Sequence, residues 1–270
     1  MESIGGGAAG SVWRVWLADG STVVVKASGR AGRLDAEARS LKLLAERSRL
    51  PVPRVLHADP TLLVLQDMPG SPGACPEAEL HAAELLAALH AERENGRYGL
   101  GFDNTCGPLP QENTWCGSWP EFYRDRRLLA MTRAGVREGT IPAALAERVE
   151  RIASRLDELL PAAPAPSLIH GDVWSGNVLC REGRVTAFLD PSPYFAHAEV
   201  ELAFITLFST FGERFFGRYF DLTGTAAEHR REFFRARREV YILYPLLVHV
   251  RLFGGGYADQ LSRTLRGLGF

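Results

Sequence analysis

The sequence has no apolar run long enough to span a bilayer. Its most apolar stretch, YILYPLLVHV at 241–250, is ten residues long, already holds His249 and ends at Arg251. A spanning helix needs about 20 apolar residues, so this stretch is expected to form a buried core helix. The first residues, MESIGGGAAG, lack the basic-then-apolar pattern of a secretory signal, which argues against export. Cysteine is scarce: Cys75, Cys106, Cys116 and Cys180 stand far apart with no C-x-x-C pair. They fit neither a disulfide framework nor a zinc site, and a reducing cytoplasm is the expected setting. An excess of one charge is also missing, because 31 Lys and Arg offset 32 Asp and Glu to a net charge of −1. Nothing draws the whole surface to nucleic acid or to an anionic membrane, and neither is expected as a partner. One local basic cluster, HRREFFRARRE at 229–239, is read as a solvated helix face, with an anion site as the other reading. Internal repeats, low-complexity segments and any G-x-x-x-x-G-K-[ST] sequence are absent, which excludes a P-loop enzyme.

What is present is an ordinary globular composition, 46% hydrophobic and 23% charged over 270 residues, enough for one or two domains with their own cores. Two β-branched and aromatic runs, VWRVWL (12–17) and TVVVK (22–26), flank an Asp19-Gly20 turn and predict a hairpin. A helix is expected from about Leu34 to Arg47. After Pro51 and Pro53, TLLVLQ (61–66) predicts another strand, and the Pro- and Gly-dense DMPGSPGACP (67–76) is the expected interlobe connection. From Glu77 onward apolar residues recur at helical spacing, interrupted by one β-like island, SLIHGDVWSGNVLCREGRVTAFLDP (167–191). The expected class is α+β and bilobal: a small β-rich lobe with one helix over residues 1–68, then a larger helical lobe over 69–270 with two short strands embedded.

The island carries the chemistry. Asp172 and Asn177 are five residues apart after the apolar SLI run, and Asp190 follows thirteen residues later. Phosphoryl transfer from ATP needs one carboxylate to orient a hydroxyl and accept its proton, and oxygen ligands to hold Mg²⁺. Asp172, Asn177 and Asp190 supply that set, at the spacing of a kinase catalytic loop and its metal-binding Asp. In the first lobe, Lys26 closes an apolar strand. Leu34, Ala38, Leu41, Leu44 and Ala45 form one helical stripe in which Glu37 falls. An acid on a buried face is costly unless paired, so Lys26 is its expected partner near the nucleotide phosphates. The run Gly5-Gly6-Gly7-Ala8-Ala9-Gly10 precedes the hairpin and lets backbone N–H groups approach phosphate oxygens. Only about eight residues separate Asp190 from the helix expected near Glu199, and no APE follows, which leaves no room for a phosphorylatable activation loop.

HGDVWSGN resembles the HGDLWSGN signature of the fructosamine kinases (ketosamine-3-kinases), within the aminoglycoside-phosphotransferase-like branch of the protein-kinase-like fold. VVVKAS, DAEARSLKLL, TCGPLPQENTW, LDPSPYFAHAEVELAF and LLVHVRLFGGGY are similar to that family too, so the resemblance runs from about Gly5 to Tyr257. It implies Asp172 as base, Asn177 and Asp190 as metal ligands, and Lys26 with Glu37 as the ATP-positioning pair, beside Gly6 and Gly7. The backbone of Gln66, Asp67 and Met68 would be the adenine hinge. Trp174 would line a sugar pocket with Asn113, Trp115 and His197. Core packing is the other reading of Trp115 and Trp119, and structural hydrogen bonding that of His197. Glu201 is expected to brace the catalytic loop. Against the family pattern, the chain begins four residues before the glycines, so an N-terminal helix and much of the first strand are expected to be missing. The implied activity is ATP-dependent phosphorylation of a ketosamine on its 3-hydroxyl, free or on a glycated protein amine, for deglycation. Another small-alcohol kinase, acting on an aminoglycoside, choline or homoserine, would use the same three residues. A non-catalytic nucleotide-binding protein would have lost one of them. Nothing in the sequence sets an oligomeric state.

Overall fold

The computed structural model describes residues 1–7, 10–29, 33–73 and 76–270. The N-terminal lobe is one antiparallel sheet of five strands in the order β1-β2-β3-β5-β4. These are β1 (Glu2–Gly7), β2 (Gly10–Trp16), β3 (Thr22–Ala27), β4 (Val55–Ala58) and β5 (Leu62–Gln66). The β2–β3 hairpin forms where the β-branched runs predict it. Its turn is fixed by Asp19 Oδ1, which accepts from the Ser21 N–H at 2.9 Å, and by Gly20 at φ +84°.

Helix α1 (Arg33–Arg47) packs on this sheet through Leu34, Ala38 and Leu41 against Leu63 and Leu65. Ala45, on the same stripe by spacing, is exposed, because the last turn carries Glu46 and Arg47 out to solvent. Two strands go beyond the expectation. The glycine run is not only a loop: Gly5, Gly6 and Gly7 pair with Val12, Ser11 and Gly10, so a six-residue first strand is present. No helix precedes it among the described residues. Strand β4 follows the Pro-x-Pro break, pairing with β5.

The second lobe holds more strand than the two pieces expected. The interlobe segment forms β6 (Ser71–Pro72), whose Pro72 and Ser71 pair with Leu179 and Cys180. Gly70, at φ +114°, passes so close to this strand that a Cβ would lie 2.7 Å from the Cys180 carbonyl oxygen. After α2 (Glu79–His90) comes a hairpin of β7 (Asn104–Cys106) and β8 (Leu109–Gln111). The island contributes β9 (Ser167–Ile169), β10 (Val178–Arg181) and β11 (Arg184–Phe188), and β12 (Tyr194–Ala196) returns to pair with β9. Strands of two to five residues are too short to show a period of two, which is why helical spacing dominated this region.

The helices are α3 (Trp119–Phe122), α4 (Ala130–Arg137), α5 (Ala143–Ala153), α6 (Leu156–Leu159), α7 (Glu199–Leu207), α8 (Glu213–Thr223), α9 (Ala227–Glu232), α10 (Arg238–Tyr241), α11 (Leu243–Phe253) and α12 (Gly256–Gly267). A π-helical stretch, Tyr123–Leu129, joins α3 to α4. The predicted core helix is real: α10 and α11 are buried along most of their length. Pro245 has no N–H for the Tyr241 carbonyl, and the Tyr123 hydroxyl donates to that oxygen instead at 2.8 Å. The basic cluster is only partly a solvated face. Phe233 is buried, and Arg237 is clamped by Glu199 (2.6 Å) and Glu232 (2.8 Å). No helix among the described residues is long and apolar enough to cross a membrane.

Candidate active site

The buried strand β9 delivers the chain into His170-Gly171-Asp172. Gly171 has φ +85°, and a Cβ there would lie 2.2 Å from the Ser192 carbonyl oxygen, so the turn admits only glycine. The loop backbone hangs on one carboxylate from α7. Glu201, 1% exposed, accepts from the Gly171 N–H at 2.6 Å and from the His170 N–H at 3.2 Å. His90 Nε2 donates to the same group at 2.9 Å, and its Nδ1 meets the Tyr219 hydroxyl at 2.7 Å. Burial alone would raise the Glu201 carboxyl, but the hydrogen bond and charge of His90, the charge of His170 and the Gly171 N–H outweigh it and hold it below its ordinary value. The brace expected of Glu201 is therefore what the structure displays.

Asp172 projects from this loop. Asn177, in the 3₁₀ turn Ser175–Asn177, donates from Nδ2 to Asp172 Oδ2 at 2.8 Å and to its carbonyl at 3.0 Å. Burial, then the charge of Asp190, push the Asp172 carboxyl up to about 8, against the opposing Asn177 hydrogen bond. Asp190 stands after β11 with φ +53°, a left-handed conformation uncommon outside glycine and tolerated best by Asn and Asp. Its carboxylate meets Lys26, which also donates to Glu37 Oε1 at 2.7 Å. Lys26 lies in the middle of the sheet, between Val12 and Leu63. Burial works to lower its ammonium, yet the charges of Asp190 and Glu37 win and raise it, so the group stays protonated.

Two cavities meet at these residues. One, of about 480 Å³, opens between the lobes. Val12, Val24 and Leu65 from the sheet face Leu179 and Leu189, and Gln66, Asp67 and Met68 stand at its edge. The Asp67 side chain is occupied by Arg14, whose Nε donates to it at 2.7 Å, which leaves the backbone of this segment to meet a ligand. The other, of about 440 Å³, lies beyond Asp172 and is walled by Trp174, Tyr194, Phe208, Tyr244 and His249. Lys26, Val12, Asn177 and Asp190 border both. An apolar slot joined through a lysine, an amide and a carboxylate to a half-aromatic pocket is suited to a flat nucleobase on one side and a hydroxylated acceptor on the other.

The structure thus gathers Lys26, Glu37, Gln66, Asp67, Met68, Asp172, Trp174, Asn177 and Asp190. Gly6 and Gly7 lie at the end of β1, opposite Ser11 and Gly10, while Gly5 borders the interlobe slot and Gly10 the second cavity. Ala8 and Ala9, from the same run, and Cys75 lie outside the described residues. Asn113, Trp115 and His197 are not brought to either cavity. Asn113 is fully buried beneath the second one, bonded to Arg127. Trp115 packs on Phe195 and under Arg97. His197 bonds the Tyr241 hydroxyl at 2.8 Å and faces a separate hollow of about 790 Å³. Burial first, then the charges of Arg237 and His90, lower its imidazole to about 3. Conversely, Phe208, Tyr244 and His249 line the pocket without having been expected there. Their signal was two aromatics and a histidine on segments otherwise read as core.

A magnesium ion fits this donor set. Asn177 and Asp190, which both border the two cavities, offer an amide and a carboxylate oxygen, and Mg²⁺ commonly takes one or two protein ligands, water and substrate phosphates. No cluster of three or more His, Cys, Asp or Glu side chains among the described residues is arranged to hold a metal by itself.

The sequence model of the fructosamine kinase family matches residues 1–268. A "probable ketoamine kinase" of Synechocystis sp. is 32% identical over 86% of this chain and 77% of its own length. A chloroplastic protein-ribulosamine 3-kinase of rice is 32% identical over 96% of this chain and 76% of its own. A solved structure from Thermobifida fusca, designated a fructosamine-3-kinase, matches at 34% identity with a TM-score of 0.82, over 95% of this chain and 88% of that one. An aminoglycoside phosphotransferase bound to ADP and hygromycin B shares the fold at 19% identity and a TM-score of 0.63, over 97% of this chain and 92% of that one.

Proposed function

From membership of the fructosamine kinase family, to which this chain belongs, we propose that it transfers the γ-phosphate of ATP to the 3-hydroxyl of a ketosamine, a sugar attached by glycation to an amine. The observation that carries this reading is the meeting of the two cavities at Lys26, Asn177 and Asp190, with Asp172 lining the second one beside them. Residues 1–68 form the ATP-binding lobe, with the adenine in the slot beside Gln66–Met68. Residues 69–270 supply catalysis and the acceptor pocket. Lys26, held by Glu37, leaves Asp190 for the phosphates. Asn177 and Asp190 would hold Mg²⁺, which when bound would neutralise phosphate charge.

Asp172 accepts a hydrogen bond from the acceptor hydroxyl and orients its oxygen toward the γ-phosphorus. The new O–P bond forms as the bond to the β–γ bridging oxygen breaks. ADP departs, and the hydroxyl proton passes to Asp172. Trp174, 42% exposed at the mouth, covers the sugar. A free ketosamine or a glycated protein amine in the cytoplasm is the substrate class, and deglycation the role.

The test is ADP release by the purified chain with Mg²⁺, offering a fructosyl-amine, a ribulosyl-amine, choline and an aminoglycoside. The expected result is release with the ketosamines alone, and Asp172→Asn lowers kcat by about 10²-fold or more while nucleotide binding stays nearly unchanged. Turnover with choline or the aminoglycoside alone would overturn the ketosamine assignment.

A further inference from the structure

Arg127 is the only lysine or arginine among the described residues that is fully buried, and none of its hydrogen bonds goes to a carboxylate. It sits in the π-helical stretch that follows α3. Its Nη1 donates to the Glu112 carbonyl at 2.7 Å, and its guanidinium lies 3.8 Å from the Tyr194 ring centroid and 5.5 Å from that of Tyr244. A buried cation balanced only by carbonyls and aromatic faces is an expensive way to fill a core, where an apolar side chain of similar volume would do. Some requirement other than stability has to account for it.

The requirement is visible in what the guanidinium holds. Arg127 Nη2 donates to Asn113 Oδ1 at 2.7 Å, so the Asn113 amide must point its Nδ2 onward, to Asn104 Oδ1 at 2.9 Å. Gln111 Nε2 donates to the same oxygen at 2.8 Å, and Gln111 Oε1 then accepts the Tyr244 hydroxyl at 2.7 Å. Every amide in this chain is oriented by its neighbour, starting from a group that can only donate. Tyr194 and Tyr244 wall the pocket beyond Asp172, and the tip of the β7–β8 hairpin that the chain secures, Gly107 and Pro108, closes it. None of these residues borders the interlobe slot. With its hydrogen committed to Gln111, the Tyr244 phenol can only accept a hydrogen bond from a further partner, which suits an acceptor rich in hydroxyl or ammonium donors.

We propose that Arg127 is a positioning residue for the acceptor pocket alone: through Asn113, Asn104 and Gln111 it fixes Tyr244 and the β7–β8 hairpin, so that acceptor binding depends on it and nucleotide binding does not. This rests on the reading of that pocket as the acceptor site. The experiment compares the unaltered chain with Arg127→Met, Tyr244→Phe and their combination, measuring KM for the acceptor and for ATP alongside thermal unfolding. The acceptor KM is expected to rise about tenfold in each single variant with the ATP KM within about twofold, and the combination to be no worse than Arg127→Met alone, because both changes break one chain. An unchanged acceptor KM, or equal rises for acceptor and ATP, would overturn the proposal. If Arg127→Met fails to fold, Tyr244→Phe, which removes a single oxygen, decides by the same split. Failure of the acceptor-site reading looks different: the unaltered chain then shows no acceptor-dependent ADP release at all.

Discussion

Replacing Glu201 by Gln changes one oxygen for an NH₂ group at the point from which the catalytic loop hangs. The carboxylate receives two backbone N–H groups, from His170 and Gly171, and the His90 imidazole. A glutamine keeps one acceptor oxygen, which the Gly171 N–H, at 2.6 Å, will hold. His90 can accommodate the new NH₂ by exchanging its tautomer, since the Tyr219 hydroxyl on its other nitrogen both donates and accepts. The His170 N–H cannot adapt. It is left facing a donor in a buried site, and the two remaining bonds lose their charge assistance. A stranded buried donor costs about 1–3 kcal/mol, and a hydrogen bond to a charged group is worth roughly 1 kcal/mol more than a neutral one. Together these give a loss of about 3–5 kcal/mol, which in a chain of this size lowers Tm by roughly 6–20 °C. The catalytic effect is separate. Asp172 lies two residues from His170, and a displacement of its carboxylate by about 1 Å costs on the order of 10²-fold in rate. Denaturant titration and steady-state kinetics on one preparation read both quantities: kcat should fall by about 10²-fold with the KM for ATP nearly constant, since Glu201 borders the acceptor cavity and not the interlobe slot. A variant that loses stability but keeps its kcat would refute the view that Glu201 acts on chemistry through the loop.

Two further outcomes are expected. Lys26→Ala leaves Glu37 on a mostly buried face without its cation and removes the charge facing Asp190, so the KM for ATP should rise by about tenfold or more; an unchanged value would remove the Lys26–Glu37 pair from nucleotide use. The His197 imidazole, at about 3 in the folded chain, refuses a proton that the unfolded chain takes up near its ordinary value of about 6.5. It therefore costs nothing above that pH, and as pH falls the unfolded state gains, by about 2 kcal/mol at pH 5. Tm should drop between pH 7 and 5, less steeply in His197→Gln, and parallel slopes for the two proteins would exclude this histidine as the cause.

The parts of the fold and site that were legible in sequence are those where side-chain chemistry is repeated or costly. β-branched runs around Asp-Gly gave the β2–β3 hairpin, and an acid on an apolar stripe gave the Lys26–Glu37 pair, because a lone buried carboxylate would be untenable. β1 was hidden because half of it is glycine, and only backbone pairing with β2 makes it a strand. The short strands β7, β8 and β12 are too brief to show alternation. Asn113 and His197 illustrate another limit. A polar residue in a motif is the same letter whether it faces a ligand or holds the wall from behind, and here both hold. The aromatic side of the pocket was missed for the opposite reason. Tyr244 and His249 sit on a helix buried nearly all round, which gives no period to separate a pocket face from a core face.

The stretch after Asp190 has a consequence for control. In regulated kinases this is the segment that swings, and its freedom is what lets the enzyme be switched off. Here it is used up within eight residues before Glu199. The Ser192 N–H donates to the His170 carbonyl at 2.8 Å, and β12 is sewn onto β9, the strand that carries the catalytic loop. To move it would be to unpick the active site. A kinase whose segment here is pinned in this way is not switched by releasing it, so its output is set by how much acceptor arrives.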